Sequence, residues 1–306
     1  MAVYTKLNHK EVEEFLSRYD VGIVESFSGI EEGIANTNYQ VKTNKGRFIL
    51  TIYEDYTDTN DLPFFIALTD HLRARGINCP VTLKDMHGEQ IQDFKGKKAC
   101  LISFLEGQGA TKIEDYHLSE LGGKVARMHL AVGDLPLNRK NDFSISKWTK
   151  LLSQIGTRAD EISPGLTKII SDEIYFLAAN WPFGLPGGIV HTDIFPDNVF
   201  FIDKKISGVI DFYFACTDYF AYDIAIIFNA WDIYNNPQRQ KIFLDSYEKI
   251  RPLSAEEKSA LPVLMRGAAL RFLMTRTYDW FNTPPDAQVK KKDPLEYVEK
   301  LKFLSR

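Results

Sequence analysis

Cysteine is scarce in this chain, with three in 306 residues, at positions 79, 100 and 216. Their wide spacing offers no disulfide framework and fits a reducing, cytoplasmic setting, where all three serve as core packing. The six histidines form no H-x-x-x-H pair and no Cys/His cluster, which argues against zinc. No apolar run approaches the roughly 20 residues that span a bilayer. The opening Met1-Ala2-Val3-Tyr4-Thr5-Lys6 has no apolar signal segment. Excess charge is also missing. A net charge of −4 and a pI near 5.9 argue against nucleic acid or an anionic membrane as the main partner. Internal repeats and low-complexity segments are absent as well.

What remains is an ordinary globular composition, 44% hydrophobic and 25% charged, at a length that suggests two domains. Asn8 reads as an N-cap with Glu11 at N3, ahead of Val12, Phe15, Leu16 and Tyr19 at helical spacing. Strand-like runs follow at 21–27, 37–43 and 47–53, then a helix over 62–75 stopped by Gly76, then strands at 81–86, 90–94 and 98–104. Beyond the Gly-containing segment 105–109 the pattern turns helical, over 114–131, 146–159, 166–180, 221–231, 238–250, 255–280 and 294–304. The expected fold is α+β and bilobal. A small antiparallel-sheet lobe, 1–105, precedes a larger, mainly helical lobe, 106–306, with a ligand cleft between them.

The most informative text interrupts the helices. His191-Thr192-Asp193-Ile194-Phe195-Pro196-Asp197-Asn198 is followed by Asp211-Phe212-Tyr213. Gly188-Ile189-Val190 reads as a buried strand entering this loop. Residues 199–202 and 207–210 read as a hairpin, with Asn198 before one strand and Asp211 after the other. Hairpin ends lie close together, so an amide oxygen and a carboxylate can reach one metal. Both are hard oxygen donors suited to Mg²⁺, which keeps waters and substrate phosphates as its other ligands. Asp193 is left to orient and deprotonate a hydroxyl nucleophile. With His191 this is the layout of a protein-kinase-like phosphoryl-transfer site, H-x-D-x-x-x-x-N followed by D-F-x.

The small lobe then has to cover a nucleotide, and the stretch from Phe27 to Tyr39 is the candidate. Gly29 and Gly33 permit backbone approach to phosphates, and Asn36 offers side-chain donors. The stretch is neither G-x-G-x-x-G nor a Walker loop. Ser103 and Leu105 lie where a hinge would meet adenine. Thr51 stands where a kinase strand carries its phosphate-binding Lys. Lys42 and Arg47 are the nearest substitutes, and Asp61 is the nearest acid at the following helix start.

These residues resemble the aminoglycoside-phosphotransferase/choline-kinase-like family over essentially the whole chain. The resemblance rests on residues 33–39, 48–54 and 62–65, the catalytic loop, 208–216 and Tyr222-Asp223-Ile224-Ala225. It is strongest to members of threonine biosynthesis, with which Thr51 is consistent. It implies ATP-dependent phosphorylation of the side-chain hydroxyl of L-homoserine to O-phospho-L-homoserine, with Mg²⁺ held by Asn198 and Asp211. It implies Asp193 as the catalytic base, His191 as a brace and Asp223 as the buried acid that accepts loop hydrogen bonds. Choline, methylthioribose or an aminoglycoside is the alternative acceptor, and a silent nucleotide-binding module is the alternative class. Homoserine needs a cation for its carboxylate. Arg266, Arg271 and Arg276 lie on one apolar helix. Tyr213, Asn229 and Trp231 are further candidate wall residues.

Overall fold

The computed structural model describes residues 4–30, 36–54, 58–283 and 291–306. It divides into two compact units, Met1–Glu106 and Gly107–Arg306.

In the first unit, α1 (His9–Leu16) begins with a reciprocal cap. The Glu11 N–H donates to Asn8 Oδ1 at 3.0 Å, and the Asn8 N–H donates to Glu11 Oε2 at 2.8 Å. This satisfies two of the donors that every helix start leaves open. Five strands follow, interrupted by α2 (Leu62–Ala74): β1 (Val24–Gly29), β2 (Thr37–Thr43), β3 (Gly46–Ile52), β4 (Gln92–Phe94) and β5 (Lys97–Ser103). They form one antiparallel sheet in the order β1-β2-β3-β5-β4. Alternate residues Tyr39 and Val41, Leu50 and Ile52, and Ala99 and Leu101 bury one sheet face against Val12, Phe15 and Leu16 of α1. Residues 81–86 were expected as a strand, but only Thr82 makes a bridge, to Ile102. The reason is Asp85. Its Oδ1 accepts the N–H groups of His87 and Glu89, both at 2.8 Å, and the resulting turn ends the pairing.

The second unit contains β6 (Gln108–Gly109), α3 (Asp115–Ala131), α4 (Ile145–Ile155), α5 (Ala159–Ile162), α6 (Leu166–Asn180), β7 (Gly187–Val190), β8 (Val199–Ile202), β9 (Lys205–Val209), β10 (Cys216–Tyr219), α7 (Phe220–Ala230), α8 (Pro237–Glu248), α9 (Ala255–Asn282) and α10 (Leu295–Leu304). The helix expected over 146–159 stops at Ile155 because Gly156 takes φ 60°. Strands β6, β8 and β9 form one small sheet, and β7 pairs with β10. Around them Trp148, Leu166, Ile170, Leu270, Leu273 and Tyr297 build a helical core. Among the described residues no helix is long and apolar enough to cross a membrane.

Helices α3 and α8 meet where Gly122 lies against the Phe243 carbonyl and 3.2 Å from the Tyr247 backbone nitrogen, measured from the Cβ that an alanine would add. That Cβ would drive into the Phe243 carbonyl oxygen, which is backbone and cannot rotate away. Gly122→Ala is therefore expected to cost about 1–3 kcal/mol, the usual range for overpacking. The readout is a lower urea midpoint at unchanged m-value. An unchanged midpoint would show that α3 can slide on α8 at no cost.

Candidate active site

The loop between β7 and β8 carries His191, Asp193 and Asn198, and the turn after β9 carries Asp211. The β8–β9 ladder pairs Val199 with Val209, and the Ile210 N–H donates to the Asn198 carbonyl at 2.9 Å. Asn198 and Asp211 are thus fixed at the same open end of one hairpin. Two residues of this region take left-handed backbone, Thr192 at φ 62° and Asp211 at φ 65°. Asp tolerates that conformation, whereas a β-branched Thr pays about 1–2 kcal/mol for it.

Asp223, in the first turn of α7, holds the strained segment in place. Its Oδ1 accepts the Thr192 N–H at 2.8 Å and its Oδ2 accepts the His191 N–H at 3.2 Å. His129 Nε2 donates to Oδ2 at 3.1 Å, and His129 Nδ1 is 2.7 Å from the Tyr247 hydroxyl. Burial pushes the Asp223 carboxyl up, but the hydrogen bond and charge of His129, with the loop N–H groups, hold it below its ordinary value. Thr192 Oγ1 closes the other side by donating to the Phe214 carbonyl at 2.9 Å. His191 spans the loop. Its Nδ1 accepts the Asp193 N–H at 3.2 Å and its Nε2 donates to the Ile210 carbonyl at 3.0 Å. These two bonds define a neutral ring, and burial pushes its pKa down accordingly.

Asn198 Nδ2 donates to the Asp193 carbonyl at 2.8 Å and to Asp193 Oδ2 at 3.2 Å. With its donors spent on Asp193, the amide turns its oxygen away from that residue. Desolvation, and then the negative charge of Asp211, push the Asp193 carboxyl up to about 7, while Arg271 and Lys292 pull it down. Desolvation raises Asp211 as well. Asp197 adds a third negative charge felt by both. The negative charges of Asp193, Asp197 and Asp211 act on one another beside Asn198, which suits a hard divalent cation. Asn198 and Asp211 offer oxygen donors that fit Mg²⁺. Among the described residues no three His, Cys, Asp or Glu side chains cluster as a closed metal cage.

The other expected site residues scatter. Gly29 ends β1, paired with Tyr39, while Gly33 lies outside the described residues. Asn36 is buried, and its Oδ1 accepts the Glu54 N–H at 3.3 Å. Ser103 Oγ accepts the Val81 N–H at 3.0 Å, and Leu105 is buried. Thr51 Oγ1 donates to Asn38 Oδ1 at 2.7 Å, so a neutral pair stands where a lysine was expected. Lys42 pairs with Glu25 and Arg47 with Glu106, which engages both expected substitutes. Tyr213 is half-buried beside Asp211. Asn229 and Trp231, expected as pocket wall, are fully buried. Asn229 Nδ2 donates to the Met265 carbonyl at 2.8 Å. Trp231 Nε1 donates to the Ile194 carbonyl at 2.9 Å and so grips the catalytic loop from behind. Arg276 is tied to Glu296 at 2.6 Å, whereas Arg271 makes no ion pair among the described residues. Sequence spacing missed His129, Tyr247 and Lys292, because each reaches the site from a distant part of the chain with no local motif around it.

The fold is protein-kinase-like, with Asn198 and Asp211 at one end of a hairpin and Asp193 in the loop before it. The profile of the phosphotransferase enzyme family matches residues 26–258, and the chain belongs to that family. It is 48% identical to the homoserine kinase of Xanthobacter autotrophicus, over 99% of this chain and 96% of that protein. It is 47% identical to the homoserine kinase of Bradyrhizobium diazoefficiens, over 99% and 94%. An amicoumacin kinase in complex with AMP-PNP, Ca²⁺ and Ami shares the fold at TM-score 0.77 and 13% identity, over 97% of this chain and 93% of that one. A choline kinase from Streptococcus pneumoniae shares it at TM-score 0.66 and 17% identity, over 97% and 98%.

The electrostatics predict a titration. In metal-free protein the Asp193 carboxyl should titrate near pH 7. An acid whose folded pKa is raised keeps its proton in the folded state while the unfolded chain has lost it. Metal-free stability should therefore fall as pH rises from about 4 to about 7. Asp211→Asn removes the neighbouring negative charge and should lower the Asp193 value, while desolvation keeps it above an ordinary carboxylate. Side-chain carboxyl NMR of metal-free protein reads both. An Asp193 titration that Asp211→Asn leaves in place would contradict the assigned coupling.

Proposed function

We propose that this chain phosphorylates the side-chain hydroxyl of L-homoserine with ATP, giving O-phospho-L-homoserine and ADP for threonine synthesis. The observation that carries this reading is the end-to-end 48% identity to proteins named homoserine kinase, with Asp193, Asn198 and Asp211 all present. Structural neighbours named for amicoumacin or choline are 13–17% identical and speak for the fold alone. The intact Asp-Asn-Asp set also argues against a silent nucleotide-binding module.

The chemistry follows from what each side chain already does. Asn198 fixes the Asp193 carboxylate through Oδ2, which leaves Oδ1 to accept the substrate hydroxyl and aim it. The hydroxyl oxygen bonds to the γ-phosphorus, the bond to the ADP oxygen breaks, and the hydroxyl proton passes to Asp193 late. Asn198 Oδ1 and the Asp211 carboxylate would hold Mg²⁺, which supplies charge neutralisation for the phosphate oxygens. His191 keeps the Asp193 backbone and the Ile210 carbonyl in register without touching substrate. Positioning and electrostatics provide most of the rate in a loose phosphoryl-transfer transition state. In this reading Gly29, Asn36, Ser103 and Leu105 meet the nucleotide. Three free, buried cysteines support action in a reducing cytoplasm.

A screen of ADP release over L-homoserine, choline, methylthioribose and aminoglycosides should respond to homoserine. Release with a different acceptor, or with none, would overturn the assignment. Asp193→Ala should lower turnover by roughly 10²–10⁴-fold, the usual span for a general base, while nucleotide binding persists. Asp211→Ala should weaken Mg²⁺-dependent nucleotide binding, and an unchanged Mg²⁺ requirement would remove it as a ligand.

A further inference from the structure

We infer that Arg271 receives the α-carboxylate of the acceptor and Asp218 its α-ammonium, so that the site recognises the zwitterionic head of an amino acid. The inference deepens the homoserine reading and rests on it. Three arginines lie five residues apart on α9, and their surroundings separate them. Arg266 is bidentate to Glu173, with Nε to Oε1 and Nη2 to Oε2 both 2.7 Å. Arg276 donates to Glu296 at 2.6 Å and to the Asp293 carbonyl at 3.0 Å. Arg271 is 2% exposed, has no acidic partner among the described residues, and buries Nη1 without a hydrogen bond. A buried guanidinium lacking a counter-ion costs several kcal/mol, so it persists where something else completes it.

Its surroundings place that completion at the reacting centre. The guanidinium carbon lies 4.9 Å from the Phe143 ring, 5.0 Å from Phe272 and 5.9 Å from Phe214. Phe214 accepts the Thr192 hydroxyl through its carbonyl, and Phe272 packs on Phe195 at 5.0 Å. Thr192 and Phe195 flank Asp193, so two of the three rings on Arg271 are attached to the catalytic loop.

Asp218 is the complementary orphan. Its Oδ2 accepts Asn141 Nδ2 at 2.6 Å and its Oδ1 accepts the Tyr219 N–H at 2.7 Å, but among the described residues no cation pairs with it. Asn141 Oδ1 also accepts the Phe143 N–H at 2.8 Å, which links Asp218 to the ring standing on Arg271. The charges of Arg271 and Asp218 act on each other without forming an ion pair. One cation without an anion, whose charge is felt at Asp193, and one anion without a cation, whose charge is felt by that cation, match homoserine charge for charge. Phe214, whose ring centroid lies 5.9 Å from the Arg271 guanidinium carbon, is 38% exposed, so this side of the guanidinium borders solvent.

The test compares three acceptors on the same enzyme: L-homoserine, 3-aminopropan-1-ol without the carboxylate, and 4-hydroxybutanoate without the ammonium. Arg271→Gln should cut kcat/KM for homoserine and 4-hydroxybutanoate by roughly 10²-fold, the scale for losing one side of a buried charged contact. It should leave 3-aminopropan-1-ol near its wild-type value. Asp218→Asn should do the reverse, sparing 4-hydroxybutanoate. Ratios between acceptors within one variant are independent of how much of it folds, and Arg271→Lys should give the same ordering with a smaller loss. Equal losses on all three acceptors, with wild type active on homoserine, would overturn the inference and make Arg271 and Asp218 structural. Wild type inactive on homoserine would instead overturn the kinase assignment, and this inference with it.

Discussion

The catalytic loop depends on one buried carboxylate. Asp223 accepts the N–H groups of His191 and Thr192 and the Nε2–H of His129. Without those donors an ionised acid at this depth would cost several kcal/mol, and with them it becomes the fixed point around which the loop bends. The left-handed Thr192 is tolerated because its N–H and its hydroxyl are both engaged. Behind Asp223 the polar chain continues. Tyr247 meets His129, Arg251 Nη1 donates to the Tyr247 hydroxyl at 3.2 Å, and Arg251 Nη2 donates to Glu257 at 2.9 Å. Glu257 also caps α9, accepting the Ser254 N–H at 3.0 Å. A helix start is thereby joined to the reactive loop through buried, mutually satisfied groups.

The same region carries a deliberate imbalance. Asp193, Asp197 and Asp211 repel one another, and the nearby Arg271 and Lys292 only moderate that repulsion. Such a cluster is costly on its own and would become favourable with a cation bound beside it. In the small lobe the opposite choice was made. The Thr51–Asn38 pair is neutral, and the buried Glu54 is satisfied within the sheet by Thr5, Thr37 and Lys97.

Features written over a few consecutive residues are legible in the amino-acid sequence alone. Asn8 and Glu11 announce the α1 cap, and the β8–β9 hairpin follows from two apolar runs around Asp203 and Lys204, both at positive φ. The spacing of Asp193, Asn198 and Asp211 carries the chemistry. Where a local side chain competes with the pattern, as Asp85 does within 81–86, the expected strand does not form.

The sequence by itself determined the two-part α+β organisation, most element positions and the hairpin that sets Asn198 and Asp211 at one end, because periodicity, capping and hairpin closure act over short separations. Only the tertiary structure decided what the remaining polar residues are for. Arg266, Arg271 and Arg276 are indistinguishable by spacing, yet α6 supplies Glu173 to the first and α10 supplies Glu296 to the last, and among the described residues nothing supplies an anion to the middle one. Trp231 reads as a pocket wall until its indole N–H is found on Ile194, and His129 reads as any helical histidine until Asp223 arrives 94 residues later. A side chain's role depends on the partner that packing brings to it, and that partner is set by contacts far apart in the chain.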